Sequence, residues 1–245
     1  MATISAARRG KSRQAGAAKA DATHNLSGQR LGPKGQGTRE RIMQAMMCLL
    51  DRGDATPITL SAIAREAGVG MSTLYLYFPD LGELLLAVVA RVIDQLAVPF
   101  AERLGTPWPD SMLEASCAAF VRAHFDFWQR YARMLQMMNS FADTRDPRFL
   151  QRRQAMAAPV IEQLARQMNP PAGADMQDYA DCATVLLIGL ERISSVVVKP
   201  DFDVDAGLAN KTQRRAYIDR LVRAQADLLH VMIREMRDRS RKAAA

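Results

Sequence analysis

Apolar residues recur every three or four positions along most of the chain, which is the spacing of one face of an α-helix. A clear example is the run formed by Ile42, Ala45, Met46, Leu49 and Leu50. No stretch alternates apolar and polar residues with the period of two that marks a half-buried strand, and the sequence has no internal repeat. The pattern therefore predicts an all-α protein.

Three short helices and one longer helix are predicted in the first half of the chain. Gly53 is placed to end the first helix, and Gly68 ends the second. Thr59 and Asp80 have side chains suited to cap the second and fourth helices, because each precedes an apolar helical pattern. The four predicted spans are 38–52, 60–67, 71–78 and 81–104.

Segments rich in proline, glycine and aspartate divide the rest of the chain into five further helices. These helices are predicted over 110–128, 129–141, 147–168, 175–198 and 210–241. About nine helices in two bodies is the simplest account. The first body, called the head below, covers residues 37–92, and the second is a helical bundle over residues 93–245.

The head contains a pattern that points to nucleic acid. Its second and third helices are short and are joined by a glycine turn over residues 68–70, which is the arrangement of a helix-turn-helix. In that motif one helix crosses the DNA backbone, and the N-terminal residues of the other reach base edges in the major groove. The residues in that position here are Met71, Ser72 and Thr73, followed by Tyr75 and Tyr77.

Thr59 begins the preceding helix, where its hydroxyl and the free backbone N–H groups would suit a phosphate. Short amphipathic helices separated by glycine also occur in all-α proteins that bind no DNA. In such a protein Tyr75 and Tyr77 would be half-buried packing residues. The spacing alone leaves both interpretations open.

The positive charge of the protein is concentrated at its N-terminus. The 245-residue chain has a net charge of +7, of which residues 1–36 contribute +6. This segment has few large aliphatic side chains, so it buries too little apolar surface to offset the entropy of ordering it. We interpret it as a disordered basic arm, which attracts a polyanion without specifying which one. An organelle transit peptide is the alternative, although the arm lacks an apolar helical stripe.

The remaining composition is that of a soluble globular protein, with 49% hydrophobic and 24% charged residues. The longest apolar run, residues 84–90, is too short to span a membrane, and no apolar segment of a secretory signal follows the N-terminal charges. Cys48, Cys117 and Cys182 lack the number and spacing of a disulfide framework or a zinc site. We therefore expect a cytoplasmic protein with no membrane segment, metal or cofactor.

The N-terminal motifs resemble those of the TetR family of transcriptional regulators. The resemblance covers about 55–60 residues, and beyond them only the total length and the helical remainder are similar. It implies a three-helix DNA-binding head, a connecting fourth helix, and a helical body that dimerises and binds a small effector. The matching motifs are Thr38-Arg39-Glu40-Arg41-Ile42, Thr59 with Ile63-Ala64, Ala67-Gly68-Val69, Thr73-Leu74-Tyr75-Leu76-Tyr77-Phe78, and Glu83-Leu84.

The resemblance also implies roles for individual residues of the head. It implies that Met71, Ser72 and Thr73 read bases. It also implies that Tyr75 and Tyr77 contact the sugar-phosphate backbone, and that Thr59 and Ser61 lie where the second helix approaches DNA. Two positions depart from the family pattern: Gly70 stands where a Ser cap is usual, and Leu81 stands where a phosphate-binding Lys is usual. Because residues 38–92 contain five Arg and six acidic residues, we expect the basic arm to supply the lost attraction.

The helices after residue 110 are rich in large flexible apolar side chains, which can line an adaptable pocket. His124 lies one helical turn from both Phe120 and Trp128. A polar ring among aromatic residues can orient a ligand, but a hydrogen-bonded core histidine gives the same pattern, and methionines at helical spacing are often simply core. The candidate effector-binding residues are Cys117, Phe120, His124, Trp128, Met137 and Met156.

The predicted helices 175–198 and 210–241 carry long apolar faces. In the family resemblance these helices pair with their symmetry mates in a four-helix dimer interface, although the same faces would also serve for packing within one chain. Two-fold symmetry would double the length of DNA that is read. The faces consist of Tyr179, Cys182, Ala183, Leu186, Leu187, Leu190, Ile193, Ile218, Leu221, Leu228, Leu229, Met232, Ile233 and Met236.

The sequence contains none of the common enzyme motifs for nucleotide binding, zinc proteolysis or serine hydrolysis, and its three histidines lie far apart. We therefore expect a non-enzyme. The helix-turn-helix pattern and the family resemblance together imply a homodimeric, sequence-specific repressor that binds a palindromic operator in double-stranded DNA. A small apolar or amphipathic effector would release it, and the sign of regulation rests on the resemblance alone. The alternative is a helical ligand-binding or interaction protein whose basic arm binds nucleic acid nonspecifically.

Overall fold

The computed structural model of the chain describes residues 30–52 and 57–244. Within these ranges the protein has ten α-helices, one single-turn 3₁₀ helix at Asp110–Met112 and no strand, so the predicted all-α fold is confirmed. The helices are α1 (Pro33–Asp51), α2 (Leu60–Ala67), α3 (Met71–Tyr77), α4 (Leu81–Gly105), α5 (Leu113–Arg130), α6 (Ala132–Asp143), α7 (Pro147–Gln167), α8 (Met176–Val197), α9 (Phe202–Asp205) and α10 (Lys211–Ala244).

The first helix begins earlier than its apolar pattern predicts. α1 starts at Pro33 rather than Thr38, so residues 33–36 are helical and do not belong to a disordered arm. A proline is well tolerated in the first turn of a helix, because its missing N–H would have no partner there. The buried side chain of Leu31 anchors this end of the helix. The rest of the predicted arm, residues 1–29, lies outside the described residues.

Three smaller differences concern short elements. The break between α5 and α6 falls at Tyr131 rather than after Trp128, and a 3₁₀ turn precedes α5 where a continuous helix was expected. The helix α9 has only four residues, which is too few to show a periodic pattern in the sequence. Gly53, the predicted end of the first helix, lies outside the described residues.

The predicted caps of the head helices are present. At the start of α2, Thr59 Oγ1 accepts a hydrogen bond from the backbone N–H of Ala62 at 3.2 Å, and at the start of α4, Asp80 Oδ1 accepts one from Glu83 at 2.7 Å. Gly68 ends α2 in the left-handed conformation, with φ of 63°, which favours glycine. Side-chain caps and a glycine turn therefore set the path from α2 to α4.

The apolar side chains form two core clusters. The head cluster packs the inner faces of the first four helices, α1 through α4, against α6 and against parts of α5 and α7. It includes Ile42, Met46, Ile63, Leu74, Phe78, Leu84, Val88, Trp128, Leu135, Met138 and Phe149. The body cluster joins α5, α8 and α10 to the end of α7, and it includes Cys117, Phe120, Phe125, Leu164, Ala183, Leu186, Leu190, Ile218, Leu229 and Ile233. Packing is therefore continuous across residue 92, where the head was predicted to end.

Buried polar groups hold the loop after α4 against the ends of α7 and α10. The side chain of Gln167 accepts from the backbone N–H of Trp108 at 2.8 Å and donates to the carbonyl of Leu104 at 2.9 Å. The buried guanidinium of Arg237 donates to the carbonyls of Gln167 and Trp108, and Asp110 balances its charge at 2.5 Å. These bonds satisfy groups that would otherwise be costly to bury.

Candidate DNA-binding surface and ligand cavity

One side of α3 is buried and the opposite side faces solvent. Leu74 is fully buried in the head cluster, whereas Tyr75 keeps 47% of its surface exposed. Ser72 is also exposed. The other predicted contact residues of this helix are half-buried, and these are Met71, Thr73 and Tyr77. The helix is thus exposed on the side that carries the predicted DNA contacts.

The N-terminus of α2 is exposed as well. The hydroxyl oxygens of Thr59 and Ser61 lie 3.0 Å apart, and both residues are exposed. The first backbone N–H groups of the helix and two hydroxyls are therefore presented together. This is an arrangement in which a helix N-terminus receives a phosphate.

The first turn of α1 runs beside the end of α3. A methyl group placed on Gly35 would lie 3.6 Å from the hydroxyl oxygen of Tyr77. Arg30 and Lys34, which were assigned to the basic arm, are exposed on this segment. The first turn of α1 therefore lies next to Tyr77, a predicted contact to the DNA backbone.

Most arginines of the head are engaged by neighbouring groups. Arg52 Nη2 lies 2.6 Å from Glu66 Oε1, and Arg91 forms an ion pair with Glu40. The Arg39 guanidinium lies over an aromatic ring, 5.0 Å from its centroid, and burial lowers its pKa. The remaining two arginines of residues 38–92 are exposed. The described head therefore offers little uncompensated positive charge.

At the two positions that depart from the family pattern, neither residue offers a polar side chain in the structure. Gly70 precedes α3 and provides no side-chain hydrogen bond to the helix end. Leu81 is half-buried and packs against the head cluster. A leucine in this place adds apolar contact and offers no charge to a phosphate.

A cavity of about 430 Å³ lies between the two core clusters. Its walls include Trp128 and Met138 of the head cluster and Leu104 of the body cluster. Its size falls in the range of small-molecule sites, about 300–1,000 Å³. Among the predicted effector-binding residues, the cavity brings together His124, Trp128 and Met156.

The other three predicted effector-binding residues do not line this cavity. Cys117 and Phe120 are buried in the body cluster, and Met137 packs against the head cluster. The stripe on α5 that carries Cys117, Phe120, His124 and Trp128 runs from one cluster to the other, and only its last part borders the cavity. Burial raises the pKa of the Cys117 thiol to about 12, which is typical of an inert core cysteine.

His124 combines the two interpretations that its sequence context left open. Its Nδ1 lies 3.2 Å from the hydroxyl oxygen of Ser194, and the ring also forms part of the cavity wall. Burial lowers its pKa to about 3, so the imidazole is neutral at pH 7. It is a hydrogen-bonded histidine at the edge of a cavity.

Several polar side chains of the cavity wall were missed by sequence reasoning, namely Asn139, Arg152, Arg153, Gln163 and Glu191. Arginine pairs such as Arg152 and Arg153 are typical of a solvated helix face, so their sequence context gives no warning. One signal was present: Arg152 lies four residues before Met156, on the same face of α7. Burial raises the pKa of the Glu191 carboxyl, and Arg153 opposes this effect.

A wider groove of about 1070 Å³ runs between α5 and α10. Its lining is mostly charged, with residues such as Arg122, Asp126, Arg214, Asp219 and Arg223. An apolar molecule would gain little there, so the smaller cavity between the clusters suits an apolar effector better.

The predicted dimer faces of α8 and α10 pack mainly within the chain. Of the residues assigned to them, Leu228 is exposed and the others are buried or half-buried. Leu228 belongs to an apolar strip that faces solvent on the same two helices. The members of this strip have between 51% and 72% of their surface exposed, and they are Val185, Ile188, Leu228 and Val231. The predicted faces therefore serve mostly for packing inside the chain, and the strip is the apolar surface that these two helices leave exposed.

No helix in the described ranges is long and apolar enough to cross a membrane. The described residues also contain no group of three or more His, Cys, Asp or Glu side chains that could hold a metal ion.

Comparisons with known proteins match the head most strongly. Residues 42–88 match the model of the tetR family of bacterial regulatory proteins. Over 58 residues the chain is 34% identical to the HTH-type transcriptional repressor KstR of Rhodococcus jostii, which is 24% of this chain and 27% of that protein. Over 72 residues it is 32% identical to KstR of Mycolicibacterium smegmatis, which is 29% of this chain and 35% of that protein. The chain therefore matches about a third or less of the length of these relatives.

The similarity to a solved structure extends over most of the chain. The fatty acid degradation regulator FadR from Bacillus halodurans superimposes with a TM-score of 0.51 at 15% identity, covering 84% of this chain and 96% of that one. At this identity the similarity concerns the fold alone, an N-terminal helix-turn-helix head followed by a helical bundle.

Proposed function

Because the chain belongs to the TetR family of bacterial regulatory proteins, we propose that it is a homodimeric, sequence-specific repressor of transcription. It acts in the cytoplasm on a palindromic operator in double-stranded DNA. A small apolar or amphipathic effector releases it from the operator. The protein acts by binding and not as an enzyme.

The exposed polar side of α3 is the observation that carries this proposal. Ser72 and Thr73 stand at the start of the helix, where side chains reach base edges in the major groove. Tyr75 and Tyr77 on the same helix, and Thr59 at the start of α2, are the proposed contacts to the sugar-phosphate backbone of DNA. Phosphate contacts then fix the position of the helix, and base contacts specify the sequence.

The exposed apolar strip on α8 and α10 supports dimerisation. Val185 and Ile188 lie one turn apart on α8, and Leu228 and Val231 lie one turn apart on α10. Two-fold pairing of this strip would bury it and would place two copies of α3 on one operator.

The position of the cavity supports release by an effector. Trp128, Leu135 and Met138 belong both to the cavity wall and to the head cluster. An effector that packs against them acts on the support of α4, the helix that carries the head. It shifts the equilibrium between an operator-binding and a released arrangement of the heads, to the extent that it binds the released arrangement more tightly.

Selection of bound sequences from a random pool of duplex DNA tests the proposal with the full chain. We expect a palindrome with half-sites about one helical turn apart, which outcompetes bulk DNA by about 10³-fold or more. The alternative, an interaction protein with a nonspecific basic arm, predicts no sequence preference, and that result would refute the repressor.

Substitutions on α3 test whether this helix contacts the bases. Thr73→Ala is expected to relax selection at one position of each half-site by about tenfold. Thr212→Ala, at an exposed threonine of α10, is the matched control and should leave the selected sequence unchanged. If both variants select the wild-type palindrome with equal stringency, α3 does not read the bases at that position.

A further inference from the structure

The cavity wall contains a buried pair of hydrogen-bond donors. Nε and Nη2 of Arg152 are both buried, and neither has a hydrogen-bond partner among the residues that the structure describes. Buried polar groups of native proteins are nearly always paired, and a charged group has the strongest need for a partner. Arg152 lines the cavity, so a molecule bound there is the natural source of that partner.

The two atoms form one edge of the guanidinium. Their N–H groups point in the same direction, and they match the two oxygens of a carboxylate. The same pairing exists one turn earlier on α7, where Nε and Nη2 of Arg148 lie 3.1 Å and 2.7 Å from the two carboxylate oxygens of Asp146. The edge that a carboxylate occupies on Arg148 is the edge that is unpaired on Arg152.

The other charged groups of the wall do not supply this carboxylate. Glu191 lines the same cavity, but it forms no ion pair with Arg152 or Arg153 in the described part of the chain. Burial favours the neutral form of Glu191 by raising its pKa. With two arginines and one carboxyl group, the cavity wall carries an excess of positive charge, and the rest of the wall is mainly apolar.

We propose that the effector is an organic carboxylate whose two oxygens accept hydrogen bonds from Nε and Nη2 of Arg152. Its apolar body lies against Trp128, Met138 and Met156. This inference rests on the proposed function, in which the cavity is the effector site, and it adds the chemical class of the effector.

Matched pairs of probes test the carboxylate on the unmodified full chain. Isothermal titration calorimetry would compare decanoate with decan-1-ol, and 2-naphthoate with 2-naphthol, below the concentrations at which the probes aggregate. In at least one pair we expect the carboxylate to bind about tenfold or more tightly than the alcohol, because the charged pair adds to the same apolar contacts. If neither carboxylate binds more tightly than its alcohol, or if decyltrimethylammonium binds more tightly than decanoate, the proposal is overturned.

Substitution of Arg152 then tests whether the carboxylate of the probe binds at this residue. Arg152→Met keeps an apolar stem of similar length and should weaken carboxylate binding about tenfold or more, while alcohol binding changes less than about threefold. Arg152→Lys keeps the charge without the paired donors and should lie between the two. The control is Arg166→Met, also on α7, where the side chain is exposed and paired with Glu162. A carboxylate preference that persists in Arg152→Met contradicts the assignment.

These titrations contain no DNA, so they separate the two proposals. A carboxylate preference without a selected operator would support this site and refute the repressor. A selected operator without a carboxylate preference would leave the DNA-binding role in place and refute this site.

Discussion

Arg148 of α7 donates through Nη1 to the carboxylate of Asp80, 3.0 Å from Oδ2. Asp80 is also the N-cap of α4, and the same Nη1 donates to Glu83 in the first turn at 2.8 Å. Hydrogen bonds with Asp146, Glu83 and Asp80 raise the pKa of Arg148. One cation, a single turn from Arg152 in the cavity wall, thus holds the start of the helix that joins head and body.

We expect Arg148→Met to weaken the response to the effector. The substitution leaves the cavity intact but removes the polar connection between α7 and α4. The concentration of effector that releases half of the operator should rise about fivefold or more, in the range of typical coupling energies. Operator-binding titrations with decanoate as the probe measure this change. Arg166→Met serves as the control, and equal release midpoints in the two variants would show that Arg148 does not transmit the signal.

Gly82 lies where α4 passes close to α7. A methyl group on Gly82 would lie 2.9 Å from Arg148 Nη2 and 3.3 Å from the ring of Phe149. The tip of the arginine can move, but Phe149 is buried and stacks on Phe141 with 4.6 Å between ring centroids. We expect Gly82→Ala to lower the free energy of unfolding by about 1–3 kcal/mol, the usual effect of overpacking, as measured by urea denaturation.

Gly105→Ala is the matched control at the other end of α4. Nothing lies within 4 Å of a methyl group placed there, and alanine is the better helix former by up to about 1 kcal/mol. This variant should equal or exceed the wild type in stability. A similar loss in both variants would mean that contact with α7 is not the cause.

The stability of the protein should depend on pH through His124. Its pKa is about 3 in the folded chain and about 6.5 when unfolded, so the unfolded state binds the proton more readily between these values. The stabilising contribution is complete above pH 6.5 and is lost as the pH falls toward 3. At about 1.36 kcal/mol for each pH unit, the loss between pH 7 and 5 is about 2 kcal/mol.

His124→Gln should remove this part of the pH dependence, since an amide does not titrate in this range. Urea unfolding of both proteins at pH 7 and pH 5 gives the comparison. The wild type should lose about 2 kcal/mol more than the variant between the two values. Equal losses would show that another group is responsible.

The sequence was sufficient for the local elements of the head. Thr59 and Asp80 are caps in the structure because the preference of these side chains for a helix start is a local property. The start of α1 was missed, since the residues from Pro33 to Gly37 have no apolar spacing to reveal a helix.

The cavity and the outer faces depend on tertiary packing, which a periodic pattern cannot resolve. Cys117 and His124 share one stripe of α5, yet one is buried in the body cluster and the other borders the cavity. Likewise the apolar stripe of α8 identifies the face that packs inside the chain. Val185 and Ile188 lie off that stripe, and only their exposure in the fold marks them as candidates for an interface.

Dimerisation through the outer strip can be tested with one charge. We expect Val185→Glu to weaken self-association about tenfold or more, because pairing would bury an unpaired carboxylate. Sedimentation velocity over a concentration series measures the change. Val204→Glu on α9 is the control, since Val204 is 82% exposed and lies outside the strip. If the two variants associate like the wild type, the strip is not the interface.

The basic arm is expected to provide much of the attraction to the DNA backbone. Residues 1–29 contain Arg8, Arg9, Lys11, Arg13 and Lys19 against a single acidic residue, whereas most arginines of the described head are engaged by neighbouring groups. Each phosphate that a cation neutralises adds about 0.9 to the slope of log affinity against log salt concentration. Deletion of residues 1–29, which leaves α1 intact, should reduce this slope by about 2 or more if at least two of these cations contact phosphates.

A charge variant of full length separates charge from chain length. Replacing the five basic residues of the arm with glutamine should reduce the slope as much as the deletion does, because counterion release depends on charge. Selection by the head should persist in both variants, since Ser72 and Thr73 remain in place on α3. A salt slope that neither change alters would place the phosphate contacts in the described head, where Arg30, Lys34 and the start of α2 are the next candidates.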